Sequence, residues 1–221
     1  TLHKGEILGI AGVIGSGREQ VCRTLFGFVT PTSGRILVKG KPVHFTKPSD
    51  AVEHGIGYIP QERRTEGLVL FLPVMHNITL ANLKRIQGGP LIDHNKERDL
   101  TQDWVNKLTI RTPSTQTLCF SLSGGNQQKV VLAKWLNAQS QVLILDHPTR
   151  GLDVGAKEEV YDLIRDLSEA GIDVILIADT LEETIGLSHT ILVMRDGAIT
   201  QRFDASPRQK PEQVALIEYM V

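Results

Sequence analysis

At 221 residues, with 41% hydrophobic and 22% charged side chains, the chain can bury one sizeable core and has an ordinary globular composition. Its formal net charge of −1 gives no electrostatic reason to expect a nucleic acid or an anionic membrane surface, and its 24 basic residues form no long run, Arg63-Arg64 being the densest pair. Cys22 and Cys119 lack CxxC spacing, which argues against a disulfide framework or zinc site and fits a cytosolic setting, while no apolar run approaches the ~20 residues that span a bilayer.

Glu6–Ala11 (EILGIA) reads as a buried strand. It runs into the glycine-rich stretch 12–20 and then a helix predicted over Val21–Phe28, which is the context of a phosphate-binding loop. Against G-x-x-x-x-G-K-[ST], Gly12 and Gly17 are in register and Gly15 is a further match. Arg18 stands where the lysine belongs and Glu19 where the magnesium-holding hydroxyl belongs. Arg35–Val38 and Pro42–Phe45 predict a hairpin around Lys39-Gly40-Lys41; Pro48–Glu53 a short helix; and Ile56–Ile59 a strand delivering Pro60-Gln61.

From Val69 to Leu136 the pattern is helical, with helices predicted over Met75–Arg85, Asn95–Leu108 and Gln127–Asn137. Trp104 and Trp135 read as core residues. Before the last helix stands Leu122-Ser123-Gly124-Gly125-Asn126-Gln127, with Ser123 as N-cap and Gln127 near the first turn. Bare glycine backbone at a helix start lets an anion approach the free N–H groups. Val142–Leu145 is an apolar strand ending in Asp146, followed by Pro148-Thr149-Arg150-Gly151-Leu152-Asp153. A helix over Lys157–Ala170, a strand over Val174–Ile177, a helix over Leu181–Leu187 and a strand over Thr190–Met194 follow. Arg195–Ala198 is a tight turn, and a short peripheral helix is predicted after Pro211. The alternation argues a parallel α/β core.

These motifs resemble the signature, Walker B strand and D-loop of ATP-binding-cassette (ABC) ATPases. The phrase LSGGNQQKVVLAKWL with PTRGLDVGAK resembles the second nucleotide-binding half of ribose-, galactose- and xylose-type monosaccharide importers. The resemblance spans nearly the whole chain. It implies an α/β P-loop NTPase fold with a parallel sheet, an antiparallel β part and an inserted helical subdomain. Residues 1–68 and 137–203 would form the core, 69–136 the helical subdomain carrying the signature, and 204–221 a C-terminal tail. Opening at Thr1 falls mid-pattern for the family, which implies a piece of a longer two-cassette polypeptide.

The implied cofactors are ATP and Mg. Gly12, Gly15, Ser16, Gly17, Arg18, Glu19 and Gln20 would line the nucleotide, with Gln61 and Asp146 at the metal. His147 replaces the family's catalytic glutamate, and Asp179 its switch histidine; His189 is out of register and reads as a surface or helix-end residue. A carboxylate about 4 Å from a phosphate oxygen costs about 4 kcal/mol at an effective dielectric near 20, so Glu19 weakens nucleotide binding. The signature residues Ser123, Gly124, Gly125, Asn126 and Gln127 and the D-loop Asp153 are intact. In this family each signature closes over the opposite half's P-loop, which implies one competent site, completed here in trans. The implied partners are a first nucleotide-binding domain in the same chain, a permease coupling helix docking between Gln61 and about Asn82, with Arg63, Arg64 and Glu66 as charges, and indirectly a periplasmic sugar-binding protein. The alternatives are a soluble ABC-type ATPase of translation or DNA repair, or a nucleotide-responsive regulatory cassette.

Overall fold

The apolar runs become strands because both faces of the sheet are covered, and continuous apolar sequence is what such strands require. A computed structural model describes residues 1–206 and 209–221; Pro207 and Arg208, within the predicted tail, lie outside the described residues. In chain order the elements are β1 (Ile7–Gly12), α1 (Arg18–Leu25), β2 (Ile36–Val38), β3 (Lys41–Val43), α2 (Pro48–Glu53), β4 (Ile56–Ile59), α3 (Val74–Thr79), β5 (Gln87–Gly88), β6 (Leu91–Ile92) and α4 (His94–Lys107). There follow α5 (Gly124–Asn137), β7 (Val142–Asp146), α6 (Val154–Glu169), β8 (Asp173–Ile177), α7 (Leu181–Leu187), β9 (Thr190–Arg195), β10 (Ala198–Asp204) and α8 (Gln213–Ile217).

The main sheet has six strands in the order β10-β9-β1-β8-β7-β4. All neighbours are parallel except β10, which folds back on β9 through Asp196 and Gly197, both at positive φ. The registers Ile59↔Leu145 and Asp146↔Ile177 bring the C-terminal ends of β4, β7 and β8 together, the edge where ligands of such sheets bind. One apolar cluster joins sheet residues such as Ile7 and Ile144 to Val74, Ile78 and Val105 of the helical region. Trp135 is buried in it, and Trp104 packs against it half-buried. Among the described residues no helix is long and apolar enough to cross a membrane.

Several predicted boundaries shift, each for a local reason. The first helix begins at Arg18 rather than Val21 because Gly17, at φ 97°, turns the chain straight into it. It ends at Leu25 because Gly27 adopts φ 81° and the Gly27 and Phe28 amides donate to Thr24 and Arg23, a Schellman stop. The helix predicted over Met75–Arg85 stops at Thr79: Asn82, at φ −150° and ψ 77°, is outside the helical region, and only a 3-10 turn, Leu83–Ile86, follows. Asp153 caps α6 by accepting from the Ala156 amide at 2.8 Å, so that helix starts three residues early. The entry to α3 is organised by buried Asn77, whose amide donates to the Val69, Leu72 and Pro73 carbonyls and accepts from the Val69 amide.

Lys134 of α5 is buried. Its Nζ donates to the Gly67 carbonyl at 2.6 Å and lies 5.0 Å from the Trp135 ring centroid. Burial lowers its pKa from 10.5 to about 8. The unfolded chain therefore binds more protons than the folded one between these values, and stability rises with pH across that window. We expect the unfolding free energy of the wild type, relative to Lys134→Met, to rise on the order of 2 kcal/mol between about pH 7.5 and about pH 10. Urea melts giving a pH-independent difference would show that Lys134 titrates normally.

Candidate functional site

The glycine loop leaves the sheet at the end of β1. Gly12 has no room for a side chain, since a Cβ there would lie 2.4 Å from Ser16 Oγ and 2.7 Å from the Met194 carbonyl. Gly17 sits at φ 97° against Gly197, whose amide donates to the Ser16 carbonyl. Ser16 is fully buried with an unpartnered hydroxyl, whereas Ile14 at the loop tip is 94% exposed. Gln20 points to solvent from the first turn of α1.

The two residues that depart from the loop pattern engage this chain's own side chains. Arg18 Nε lies 3.1 Å from Glu19 Oε1, and its Nη2 lies 3.5 Å from His147 Nε2. His147 Nδ1 is 2.7 Å from Asp146 Oδ1, so Nδ1 carries the proton and Nε2 faces the guanidinium as acceptor. The second oxygen of Asp146 accepts the Tyr58 hydroxyl at 2.5 Å. Glu19, Arg18, His147, Asp146 and Tyr58 thus form one continuous chain of polar contacts, in which Asp146 and His147 are 5% and 8% exposed. Burial, and then the hydrogen bond to Asp146, push the Tyr58 hydroxyl far above its ordinary pKa. His147 is held at φ 51°, its amide donating to the Ile177 carbonyl at 2.7 Å. Such left-handed backbone is uncommon outside glycine. Beneath α1, Cys22 is buried; its surroundings, then the charges of Asp146 and Glu19, raise its thiol pKa against the opposing pull of Arg18. Gln61 is half-buried just beyond the end of β4.

Asp179 does not join this chain. It is exposed and contacts Thr149 Oγ1 at 3.4 Å, while its amide donates to Glu183. Glu183 also receives Lys157 at 2.8 Å, Tyr161 at 2.6 Å and Thr149 at 3.0 Å. Burial pushes its pKa up, but the hydrogen bonds from Lys157, Tyr161 and Thr149 outweigh that and hold it low. Glu183 and Tyr58 escaped the sequence reading. The available signal for Tyr58 was a hydroxyl inside an otherwise apolar strand, which must find a partner when buried. His189 is exposed, as anticipated, and its Nδ1 accepts the Ile7 amide.

At the signature, Ser123 occupies the N-cap position of α5 without making the capping bond expected of it. Its exposed Oγ instead accepts from Asn126 Nδ2 at 2.9 Å, and Asn126 Oδ1 accepts the Arg111 amide. The helix begins at Gly124, three residues before the predicted start. Gln127 is buried and donates to the Cys119 carbonyl. Both glycines stand close to neighbours within the chain. A Cβ on Gly124 would lie 2.7 Å from Arg63 Nη2, and one on Gly125 3.0 Å from Ala156 Cβ. Among the described residues no hydrogen bond or ion pair joins Gly12–Glu19 to Ser123–Gln127.

A mostly parallel sheet whose first strand empties through a glycine loop into a helix, with an inserted helical region, is the P-loop NTPase fold of the ABC ATPases. A nucleotide-free ATP-binding cassette from an ABC transporter superposes with a TM-score of 0.78 at 19% identity, covering 99% of this chain and 85% of that one. A dimeric cassette in a post-hydrolysis state bound to ADP and Pi gives 0.77 at 20% identity, covering 93% and 88%. The ABC transporter family model matches residues 1–150, and the chain belongs to that family. Ribose import ATP-binding protein RbsA of Shouchella clausii is 43% identical over 92% of this chain and 41% of its own length. The protein of the same name from Clostridium tetani is 39% identical over 100% of this chain and 43% of its own. A putative ribose/galactose/methyl galactoside import ATP-binding protein of Burkholderia ambifaria is 44% identical over 93% of this chain and 40% of its own. The chain thus spans about two fifths of the length of these relatives.

Replacing Tyr58 with Phe removes one of the two donors to a buried carboxylate. We expect a loss of about 1–3 kcal/mol in unfolding free energy, read by urea denaturation. An unchanged midpoint would show that Asp146 does not depend on this hydroxyl.

Proposed function

We propose that this chain is the second nucleotide-binding half of an ABC importer ATPase that energises monosaccharide uptake, and that it contributes its signature in trans to ATP held by the first half. The names of its relatives, which are import proteins for ribose and related sugars, support sugar import. The observation that carries the division of labour is the contact chain from Glu19 through Arg18, His147 and Asp146 to Tyr58. Both oxygens of Asp146 already accept hydrogen bonds, and Glu19 is drawn to Arg18, so these groups are poorly disposed to coordinate Mg with Gln61. The residues of this half's own loop do not fit a magnesium nucleotide. ATP and Mg binding at it is weak or absent.

The signature side is free of such closure. Ser123 is exposed, and the N–H groups of the first turn of α5 carry the positive end of the helix dipole. Ser123 donates to a phosphate oxygen of nucleotide bound by the first half; Gly124 and Gly125 let the helix start pack tightly enough on its own core to present it. Asp153 fixes the entry to α6 beside it. Residues 69–136 act as the helical subdomain, residues 1–68 and 137–203 as the core. A permease coupling helix docks between Gln61 and about Asn82, where Arg64 and Glu66 are exposed. The assembly sits on the cytoplasmic face of the membrane through that permease and indirectly serves a periplasmic sugar-binding protein.

The isolated chain should hydrolyse ATP at background. In the complete two-cassette polypeptide, Ser123→Ala should lower kcat about tenfold or more, whereas Arg18→Ala should change it less than about twofold. Ser123 is preferable to Gly125 as the probe, because a side chain at 125 first strikes Ala156. Steady-state ATPase assays at saturating ATP decide the matter. The reverse ranking, or turnover by the isolated chain near 1 per second, would place the working site on this half's own loop.

A further inference from the structure

Residues Arg63–Gly67, separated from Gln61 only by Glu62, form one turn of π-helical pitch. This turn is pinned at both ends to the signature helix and its neighbour. At its start, Arg63 does not reach outward toward a partner; its Nη1 donates to the Arg150 carbonyl at 2.6 Å. The guanidinium points Nη2 at the beginning of α5, 2.7 Å from where a Cβ on Gly124 would stand, with Cζ at 3.6 Å and Leu152 Cδ2 at 3.1 Å from the same point. It also passes within 3.7 Å of the corresponding point on Gly151. Its Nε is buried and without a partner. At the end of the turn, the Gly67 carbonyl accepts Lys134 Nζ from three turns along α5. Gly67 itself rides close to that helix, a Cβ there falling 3.2 Å from Val131 Cγ2.

We propose that Arg63 is a positioning residue for the composite site: by joining the turn after Gln61 to Arg150 across Gly124, it fixes the spacing between the signature helix start and the D-loop. The catalytic part of this inference rests on the reading that the signature acts in trans. A fork suits the task, since one terminal nitrogen donates to the Arg150 carbonyl while the other stands at the start of α5 beside Gly124. A lysine retains the charge and could reach the same carbonyl, but its single nitrogen cannot stand at both places. A side chain at Gly124 would meet both this guanidinium and Leu152 Cδ2, so the arginine and the bare helix start share one space. Arg64 and Glu66, exposed on the same turn, are left as its outward-facing charges. A push on the turn from outside would be felt at Gly124 and Arg150 together.

Two measurements test this. Amide hydrogen exchange on the 221-residue chain should show protection falling about tenfold or more in Arg63→Ala at the hydrogen-bonded amides of the two segments, Gln127 in one and Arg150 and Leu152 in the other, with the β8 amides unchanged. Arg63→Lys should recover less than half of that protection. In the complete two-cassette polypeptide, Arg63→Ala should lower kcat about tenfold with the KM for ATP unchanged, because the nucleotide is held by the other half's loop. The proposal is overturned if the two segments keep their protection, if protection falls uniformly across the sheet, or if lysine restores wild-type behaviour. Hydrolysis insensitive to Ser123→Ala would overturn the trans reading instead, and would leave the exchange result standing as evidence for the link itself.

Discussion

The carboxylate of Asp146 is withdrawn from water at the end of β7, and the loop end of the sheet is arranged to supply it with donors. A buried carboxylate without partners is costly, and two side chains answer that cost: Tyr58 from β4 and His147 from the adjoining residue. His147 is then aligned by Arg18, which is balanced by Glu19. Three segments distant in sequence are tied by a single polar chain. The glycine loop therefore takes its shape from this protein's own residues, and the substitutions that look like losses in the motif are mutually satisfying in space.

The signature region follows a different logic. Paired glycines after a serine suggest room for a ligand, and the exposed hydroxyl of Ser123 agrees with that. Yet Gly124 and Gly125 each make way for a neighbour in the same chain, Arg63 and Ala156 respectively. Glycine at a helix start can serve an incoming anion or an intramolecular approach, and sequence alone does not separate the two. Here the intramolecular approach is on view at both positions.

The architecture was legible because β1, β4, β7 and β8 are continuous apolar runs, as buried parallel strands must be, and because glycine and proline punctuate them. Helix boundaries were less legible, since they are set by single backbone events: the left-handed Gly27, the non-helical Asn82 and the Asp153 cap. Arg18, Glu19 and His147 were recognised as departures from a motif, but their contact with one another depends on strand order, which sets the ends of β1 and β7 on either side of β8. Asp179 was grouped with them by motif position and instead turns toward Thr149 and Glu183. Tyr58 and Glu183 were missed for the converse reason, as each stands in a segment whose pattern is fully explained by burial or amphipathicity.

The two cysteines give the molecule a chemical property of its own. Cys22 and Cys119 are both buried, and burial alone pushes the Cys119 thiol up to about 11, while Cys22 lies higher still. At neutral pH only about one Cys119 in ten thousand is a thiolate, the form that reacts with maleimides and iodoacetamides. The native chain is thus nearly silent toward alkylating dyes. A single cysteine introduced on an exposed surface, such as that of Val154 at 79% exposure, would carry a spin label or fluorophore without removing either native thiol. The mobility or emission of that one probe would then report whatever comes to cover this surface, in an otherwise unaltered chain.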